Sequence, residues 1–245
     1  MRPIGNSLSN ETKRDDSVEL SRFLFLEKSY ENQTTHWHMK LLVSFIFIIF
    51  LPLRVMASPM IEIPSGEFMM GSGDSAEHIM WVDSFAIDSN EVNNAEFVDQ
   101  FPDHKFPSGA EPHPATNISW QKAKEFCQRS GKRLPTESEW EKSARGTNAN
   151  IYPWGNKAPR EKPHPFFSGV IKRRVGLNKR DVSPYGVLGM AGSVWEWTQD
   201  SVGEKIITRG GLWNHHLDYE YSKTYERNLI DPNDRFIFLG FRCAR

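Results

Sequence analysis

The stretch Tyr185–Asp200 reads YGVLGMAGSVWEWTQD and is followed, after a short gap, by RGG at Arg209–Gly211. Within it, Trp195 and Trp197 flank Glu196. Successive side chains of a β-strand point to opposite faces, so a strand here sends both indoles to one face and the carboxylate to the other. We therefore expect this stretch to contain a strand with two chemically different faces.

Three glycines, Gly186, Gly189 and Gly192, precede the tryptophans at intervals of three residues. This spacing indicates a loop that needs positive φ angles or close backbone approach, rather than a helix. Gly210 and Gly211 lead in the same way into Trp213. Two interpretations remain open: a turn-rich β core filled by large aromatic side chains, or a ligand or metal loop in which Glu196 is the one charged inward group.

Seven motifs in a fixed order resemble the formylglycine-generating enzyme, or sulfatase-modifying factor, domain family. They are IPSGEFMMGS (Ile63–Ser72), EVNNAEF (Glu91–Phe97), HPATNISWQKAKEFC (His113–Cys127), GKRLPTESEWEKSARG (Gly131–Gly146), YPWGN (Tyr152–Asn156), GSVWEWTQD with RGG, and LGFRCAR (Leu239–Arg245). The resemblance covers about Met60 to Arg245. It implies an α+β domain with an irregular, loop-rich, C-type-lectin-like topology. Activity does not follow from the fold.

Composition indicates one globular domain with a sizeable core, since 38% of the 245 residues are hydrophobic. Eight Trp and sixteen Phe with seventeen Gly and fifteen Pro favour a loop-rich domain packed on aromatic side chains. The net charge of −1 gives no reason to expect nucleic acid or an anionic membrane as a partner. The basic stretch Lys157–Arg180 contains few aromatic residues and is interpreted as a solvated insertion.

The first 57 residues are set apart from this domain. Residues 1–38 are polar, and we interpret them as a disordered extension or a mis-assigned start. Residues 39–57 have the pattern of a secretory signal peptide: a lysine, an apolar core at Leu41–Leu53 and small residues up to Ala57. The apolar core is shorter than the roughly 18–20 residues of a membrane-spanning helix. We expect cleavage near Ala57, export of residues 58–245 to a periplasm or the extracellular space, and no membrane span in the mature form. A start at Met1 would instead make the segment an internal signal or a marginal anchor.

The chain has two cysteines, an even number that suits an exported protein. The family resemblance implies that Cys127 and Cys243 form a disulfide. The alternative is two unrelated buried thiols.

Local patterns predict a few elements directly. Ser119 is expected to cap a helix over Trp120–Ser130, and Thr136 with Glu139 forms a capping box for the next helix, which Gly146 ends. The acidic residues of that second helix are predicted to form a solvated first turn: Glu137, Glu139 and Glu141. A short helix is expected over Ala95–Phe101. The strand predictions are a hairpin of Met60–Ile63 with Glu67–Met70, a strand over Met80–Ile87, and closing strands at Ile206–Arg209 and Ile237–Cys243.

The chemistry of the resembled family does not transfer intact. In its copper-dependent enzymes, two cysteines a few residues after RGG hold the metal that oxidises a substrate cysteine with oxygen, and soft thiolates suit Cu(I). Here the stretch reads RGGLWNHHLDYEYSKTYER and contains no cysteine. By register from Arg209, the two thiol positions fall on His215 and Glu220, so the thiolate mechanism is not expected.

A rebuilt metal site is the alternative for these positions. His215, His216 and Glu220 offer imidazole and carboxylate ligands, which suit Fe(II), Zn or Cu(II). Adjacent histidines on a strand point to opposite faces, so at most one joins Glu220. A surface histidine and a loop glutamate explain the same residues without a metal.

The resemblance also implies a degenerate calcium loop, formed by the carbonyls of Gly192 and Val194 and the side chain of Glu196. One side-chain ligand of the family falls on Gly189 and is lost. Because Ca²⁺ takes 6–8 oxygen ligands, weak binding at best is expected.

The leading hypothesis is a formylglycine-generating-enzyme-like domain without the copper cysteines, assisting protein maturation in the envelope. It would bind a peptide or small molecule in a cleft formed by four residues: Trp195, Trp197, Arg209 and Trp213. An oxidase with a metal at His215 and Glu220 is the second hypothesis, and a lectin-like binding module without catalysis is the third.

Overall fold

The computed structural model describes residues 58–72, 77–158, 175, 181–211 and 222–245. Its elements are β1 (Met60–Ile63), β2 (Gly66–Met70), β3 (His78–Val82), β4 (Phe85–Asp88), α1 (Asn94–Gln100), α2 (Trp120–Arg129), α3 (Glu137–Arg145), β5 (Trp195–Val202), β6 (Lys205–Gly210), β7 (Arg227–Ile230) and β8 (Leu239–Gly240). Helices and short strands are mixed, as the predicted α+β class requires. No helix of the described ranges is long and apolar enough to cross a membrane. The predicted signal peptide lies outside them.

Three small sheets make up the strand architecture. β1 pairs with β4 and β2 pairs with β3, both antiparallel. The largest sheet has the order β7-β6-β5-β8, in which β5 and β8 run parallel. The strand that carries WEW therefore lies inside the largest sheet, between the RGG strand and the C-terminal motif.

Two strand predictions are wrong. β1 and β2 do not form a hairpin, because the segment Pro64–Ser65 carries the chain from one sheet to another instead of reversing it. The single strand predicted over Met80–Ile87 is divided at Asp83 and Ser84 into β3 and β4, which belong to different sheets. Alternation identified the strand residues, but their partners depend on contacts distant in sequence.

The alternation predicted for the WEW segment is confirmed. Trp195 and Trp197 pack in one hydrophobic cluster with Phe97, Phe126 and Phe241. Glu196 points to the other side, where its carboxylate meets Trp140 of a second cluster. β5 thus separates two packed regions and presents a different chemistry to each.

The helices largely follow their sequence signals. Thr136 and Glu139 form the predicted capping box, and Gly146 ends α3 with a φ of 69°. A Cβ at Gly146 would approach Pro184 to 2.8 Å, so both backbone angle and space require glycine. Ser119 does occupy the N-cap position of α2, but its side chain makes no capping hydrogen bond.

The prediction of a solvated acidic turn in α3 is wrong. Glu139 and Glu141 are buried. Glu139 accepts two hydrogen bonds from Arg133, each 2.6 Å long. Glu141 is buried because two arginines, distant from one another in sequence, converge on it, as described below.

The predicted disulfide is confirmed: Cys127 of α2 is bonded to Cys243 near the C-terminus. Their Cα atoms are 5.6 Å apart, and 116 residues separate them in sequence. Both residues are fully buried in the first hydrophobic cluster. The bond therefore fixes the C-terminal segment against α2.

Removing this bond should destabilise the fold strongly. A loop of this length corresponds to about 4–5 kcal/mol in the chain-entropy model. We expect the double variant Cys127→Ala with Cys243→Ala to lose free energy of unfolding on that scale in urea titrations. Reduced wild-type protein is the control, and equal stability of the oxidised and reduced forms would contradict the prediction.

Candidate functional site

A buried ion pair joins the WEW motif to the C-terminal motif. The Oε2 atom of Glu196 accepts hydrogen bonds from Nε of Arg242 at 2.7 Å and from Nε1 of Trp140 at 2.9 Å. Its Oε1 atom accepts from Nη2 of Arg242 at 2.8 Å. The guanidinium also donates to the carbonyls of Asp88 and Leu188. The one charged group of the WEW motif is therefore used to hold the protein together.

This arrangement does not fit calcium binding by Glu196. Both carboxylate oxygens already accept hydrogen bonds, and the positive charge beside them is a guanidinium. Calcium needs 6–8 oxygen ligands, and Gly189 supplies no side chain. A Cβ at Gly189 would lie 2.8 Å from both carboxylate oxygens of Glu91. That position is glycine because the Glu91 carboxyl takes the space.

Two further carboxyl groups are buried around Arg242. Burial raises the pKa of Glu91 to about 7, with Arg242 opposing the shift and Glu196 adding to it. Burial likewise raises the pKa of Asp181 to about 7. One oxygen of Asp181 accepts a hydrogen bond of 2.9 Å from the backbone amide of Ala191. Protonation of these two carboxyl groups relieves the excess of negative charge over the single guanidinium.

The pKa shift of Asp181 predicts a pH-dependent stability. A folded-state pKa of about 7 lies above the ordinary value of 3.8, so the folded protein holds a proton that the unfolded chain releases. The free energy of unfolding should therefore fall as the pH rises from about 4 to about 7. We expect Asp181→Asn to flatten this fall in urea titrations across that range. The exposed Asp103→Asn is the control, and an unchanged slope in the Asp181 variant would contradict the assignment.

A second ion network begins directly opposite Glu196. Arg209 of the RGG motif is its Cα partner in the ladder of β5 and β6. The guanidinium of Arg209 is buried, and its Nη2 atom lies 2.6 Å from Oε2 of Glu141 and 2.9 Å from Oε1 of Glu137. Its Nη1 atom donates to the carbonyl of Glu226 at 3.2 Å. Arg209 thereby connects β6 to α3 and to the segment that precedes β7.

Glu141 extends the network to a second arginine. Its Oε1 atom accepts from the amide of Gly71 at 2.7 Å and from Nη1 of Arg145 at 3.1 Å. Arg145 also pairs with Glu77 at 3.3 Å, and its guanidinium lies 5.4 Å from the ring centre of Tyr225. One buried carboxylate thus ties together both arginines and the loop that follows β2.

The YPWGN turn lies beside the same segment. The rings of Tyr152 and Trp154 stack with centroids 5.2 Å apart. Thr224 holds this turn, because its amide donates to the carbonyl of Ile151 and its hydroxyl to that of Asn150. We group five side chains of this region under the name Arg209 face: Trp154 and Tyr225 are partly exposed, and Arg145, Tyr152 and Arg209 are buried. The described structure stops at Gly211 and resumes at Ser222.

The structure separates the residues predicted to form the cleft. Trp195 and Trp197 are buried, and the indole nitrogen of Trp197 donates to the carbonyl of Ile118 at 2.9 Å. These two side chains fit the interpretation of an aromatic core rather than an open cleft. Arg209 lies elsewhere, in the ion network with Glu137 and Glu141. Trp213, His215 and Glu220 fall outside the described residues.

Three residues of the second network were missed by the sequence prediction: Glu141, Arg145 and Tyr225. A signal for the first two was available. Glu137, Glu141 and Arg145 are spaced four residues apart and share one helix face. The partner that makes this face buried, Arg209, comes much later in the chain, so the spacing alone did not indicate burial.

Neutralising Glu141 should lower the free energy of unfolding strongly. The change Glu141→Gln leaves two buried guanidinium groups short of a counter-charge, and breaking a buried pair costs about 3–5 kcal/mol. A matched control exists in α2, where Glu125 pairs with Arg129 at the same spacing of four residues but on the surface. Glu125→Gln should change the free energy of unfolding by less than about 1 kcal/mol. Equal losses in the two variants, measured by urea titration, would refute the central role of Glu141.

The small sheets, the capped helices and the two buried arginine networks define an α+β domain of the sulfatase-modifying factor type. The chain belongs to the sulfatase-modifying factor enzyme 1-like domain family, whose model matches residues 52–245. It is 26% identical over 286 residues to the formylglycine-generating enzyme of Mus musculus, covering 79% of this chain and 76% of the relative. It is 34% identical over 152 residues to the inactive C-alpha-formylglycine-generating enzyme 2 of Bos taurus, covering 54% of this chain and 50% of that relative.

Solved structures agree on the fold. Treponema denticola variable protein 1 matches with a TM-score of 0.66 and 21% identity, covering 76% of this chain and 94% of that one. PvdO from Pseudomonas aeruginosa matches with a TM-score of 0.64 and 22% identity, covering 77% and 94%. At these identities the likeness establishes a shared architecture and leaves activity open.

Proposed function

We propose that this chain is an exported family member that acts without thiolate-bound copper, binding a peptide or small molecule during the maturation of an envelope or extracellular protein. One observation carries the proposal. The chain has two cysteines, and both belong to the disulfide Cys127–Cys243. No thiolate is left to hold Cu(I), which is the ligand type that this ion requires.

The name of a relative supports a role without the family's oxidation chemistry. The bovine protein that is 34% identical over the matched region is called inactive. Loss of catalysis within this fold therefore has a precedent among similar proteins. A family member that has lost catalysis can still bind a ligand on the same fold.

We assign ligand binding to the Arg209 face, at the partly exposed rings of Trp154 and Tyr225. Arg145 belongs to α3, and its guanidinium lies 5.4 Å from the ring centre of Tyr225, so a helix residue helps to position this ring. Aromatic side chains recognise amide and ring groups, and both occur in peptides. The guanidinium groups of Arg145 and Arg209 are already paired with carboxylates and act as supports. Trp195 and Trp197 lie in the first hydrophobic cluster, and Trp213 is outside the described residues.

A second candidate function follows from the residues after RGG. His215 and Glu220 stand where the resemblance places the copper cysteines, and an imidazole with a carboxylate suits Fe(II), Zn or Cu(II). An oxidase with such a site would consume oxygen in the presence of its substrate. The two functions differ in one measurable property, the metal content of the protein.

Elemental analysis of protein purified after export, without added chelator, separates the two. The leading proposal predicts no stoichiometric copper or iron, and no change of metal content in the double variant His215→Ala with Glu220→Ala. Calcium alone would agree with a binding domain. Near-stoichiometric copper or iron that disappears in the double variant would overturn the proposal in favour of the oxidase.

Export is tested on the same sample. We propose that cleavage occurs near Ala57, so N-terminal sequencing should find a mature chain that begins near Ser58. An uncleaved chain in the cell extract, starting at Met1 or Met39, would contradict this part of the proposal.

A further inference from the structure

The outer face of the two-stranded sheet β2–β3 is apolar and exposed. Trp81 is 60% exposed and Ile79 is 64% exposed. In the register of the ribbon, Glu67 lies opposite Trp81 and Met69 lies opposite Ile79, so these four side chains share one face. We call them the ribbon face. The inner face of the same strands is buried, with Phe68 and Val82 in the second hydrophobic cluster.

Trp81 is held in place despite its exposure. Its indole nitrogen donates a hydrogen bond of 3.0 Å to Oδ1 of Asp83. This contact restricts the rotation of the ring and so lowers the entropy that binding would otherwise cost. A carboxylate on the indole N–H also adds negative charge next to the aromatic face, which attracts cations.

The charge around Trp81 is negative. Glu67 and Asp83 are both exposed, and neither forms an ion pair with a basic residue in the described part of the chain. The neighbouring Lys142 points inward, where its ammonium group donates to the carbonyls of Pro64 and Gly66. The ribbon face therefore combines an oriented aromatic ring with the carboxylate of Glu67, and the carboxylate of Asp83 lies beside it on the indole N–H.

We propose that the ribbon face docks an extended segment of a partner protein that carries a basic side chain and an apolar side chain two residues apart. The basic group stacks on Trp81 between Glu67 and Asp83, because a guanidinium or ammonium over an indole is favourable. The apolar side chain contacts Ile79 and Met69. The spacing matches, since Trp81 and Ile79 are themselves two residues apart on one strand, and side chains two apart in an extended peptide share a face.

The same charges disfavour other occupants. Anionic lipid and nucleic acid are repelled by Glu67 and Asp83. A second copy of this chain, placed symmetrically, would set the same carboxylates against each other. A basic segment of a different protein remains the occupant that the chemistry favours. None of these residues belongs to the Arg209 face, so this inference does not depend on the proposed function.

The test uses the purified protein and the capped peptide Thr-Arg-Thr-Val-Thr, with Gln and Glu in place of Arg as comparison peptides. The indole N–H signals of ¹⁵N-labelled protein report on each tryptophan, and Trp81→Phe assigns the signal of Trp81. We expect a saturable shift of that signal with the Arg peptide, a weaker one with Gln and none with Glu. Trp81→Ala should lower the affinity about tenfold, as loss of a cation–π contact implies.

Two further variants make the test specific. Glu67→Gln with Asp83→Asn should weaken binding and reduce its salt dependence, since the attraction to exposed carboxylates is screened by salt. Ile237→Ala is the matched control: Ile237 is 50% exposed but lies outside the ribbon face, so affinity should not change. Equal binding of the Arg and Gln peptides would overturn the proposal. Trp81-dependent binding to phosphatidylcholine vesicles, or Trp81-dependent self-association, in place of peptide binding would overturn it as well.

Discussion

The bidentate pair between Glu196 and Arg242 is the interaction on which the rest of the structure depends. It is fully buried, and an unpaired charge at that depth costs several kcal/mol, so neither partner is tolerable alone. The two residues come from motifs far apart in the chain, WEW and LGFRC. Trp140 of α3 donates a hydrogen bond to the same carboxylate, so the pair also positions α3. The pair therefore determines where the WEW strand, the C-terminal motif and α3 meet.

How much the sequence predicts depends on how local the determining contact is. Capping residues and glycines lie within one turn of the helix ends they define, so α2 and α3 were predicted to within a residue or so. Strand partners are chosen by contacts across the chain, and so the hairpin of β1 with β2 was predicted wrongly. Glu141 illustrates the same limit within a helix, because its burial depends on Arg209, which is 68 residues away. The disulfide was predicted because the family resemblance, rather than local pattern, paired its cysteines.

Buried charge and exposed aromatic surface lie in two different parts of the fold. The network around Arg209 uses buried charge to connect β6, α3 and the segment that precedes β7. The ribbon of β2 and β3 instead leaves its aromatic and acidic side chains in solvent, on strands whose inner face is anchored by the core. Both parts are held by contacts within the described residues: Arg209 by Glu137 and Glu141 of α3, and β2 and β3 by Phe68 and Val82 in the second hydrophobic cluster.

The C-terminal segment also constrains when the protein becomes folded. Its backbone bonds to β4 through Asp88 and Cys243 and through Ala86 and Arg245, while Ala244 bonds to Arg133. These partners are among the most distant pairs in the domain, and contacts of long sequence separation form late and slowly. The pairing of β4 with residues 243–245 is therefore expected to be among the slower steps of folding. Once made, these contacts are held by the disulfide Cys127–Cys243, so oxidation secures the pairing that the chain topology makes slowest.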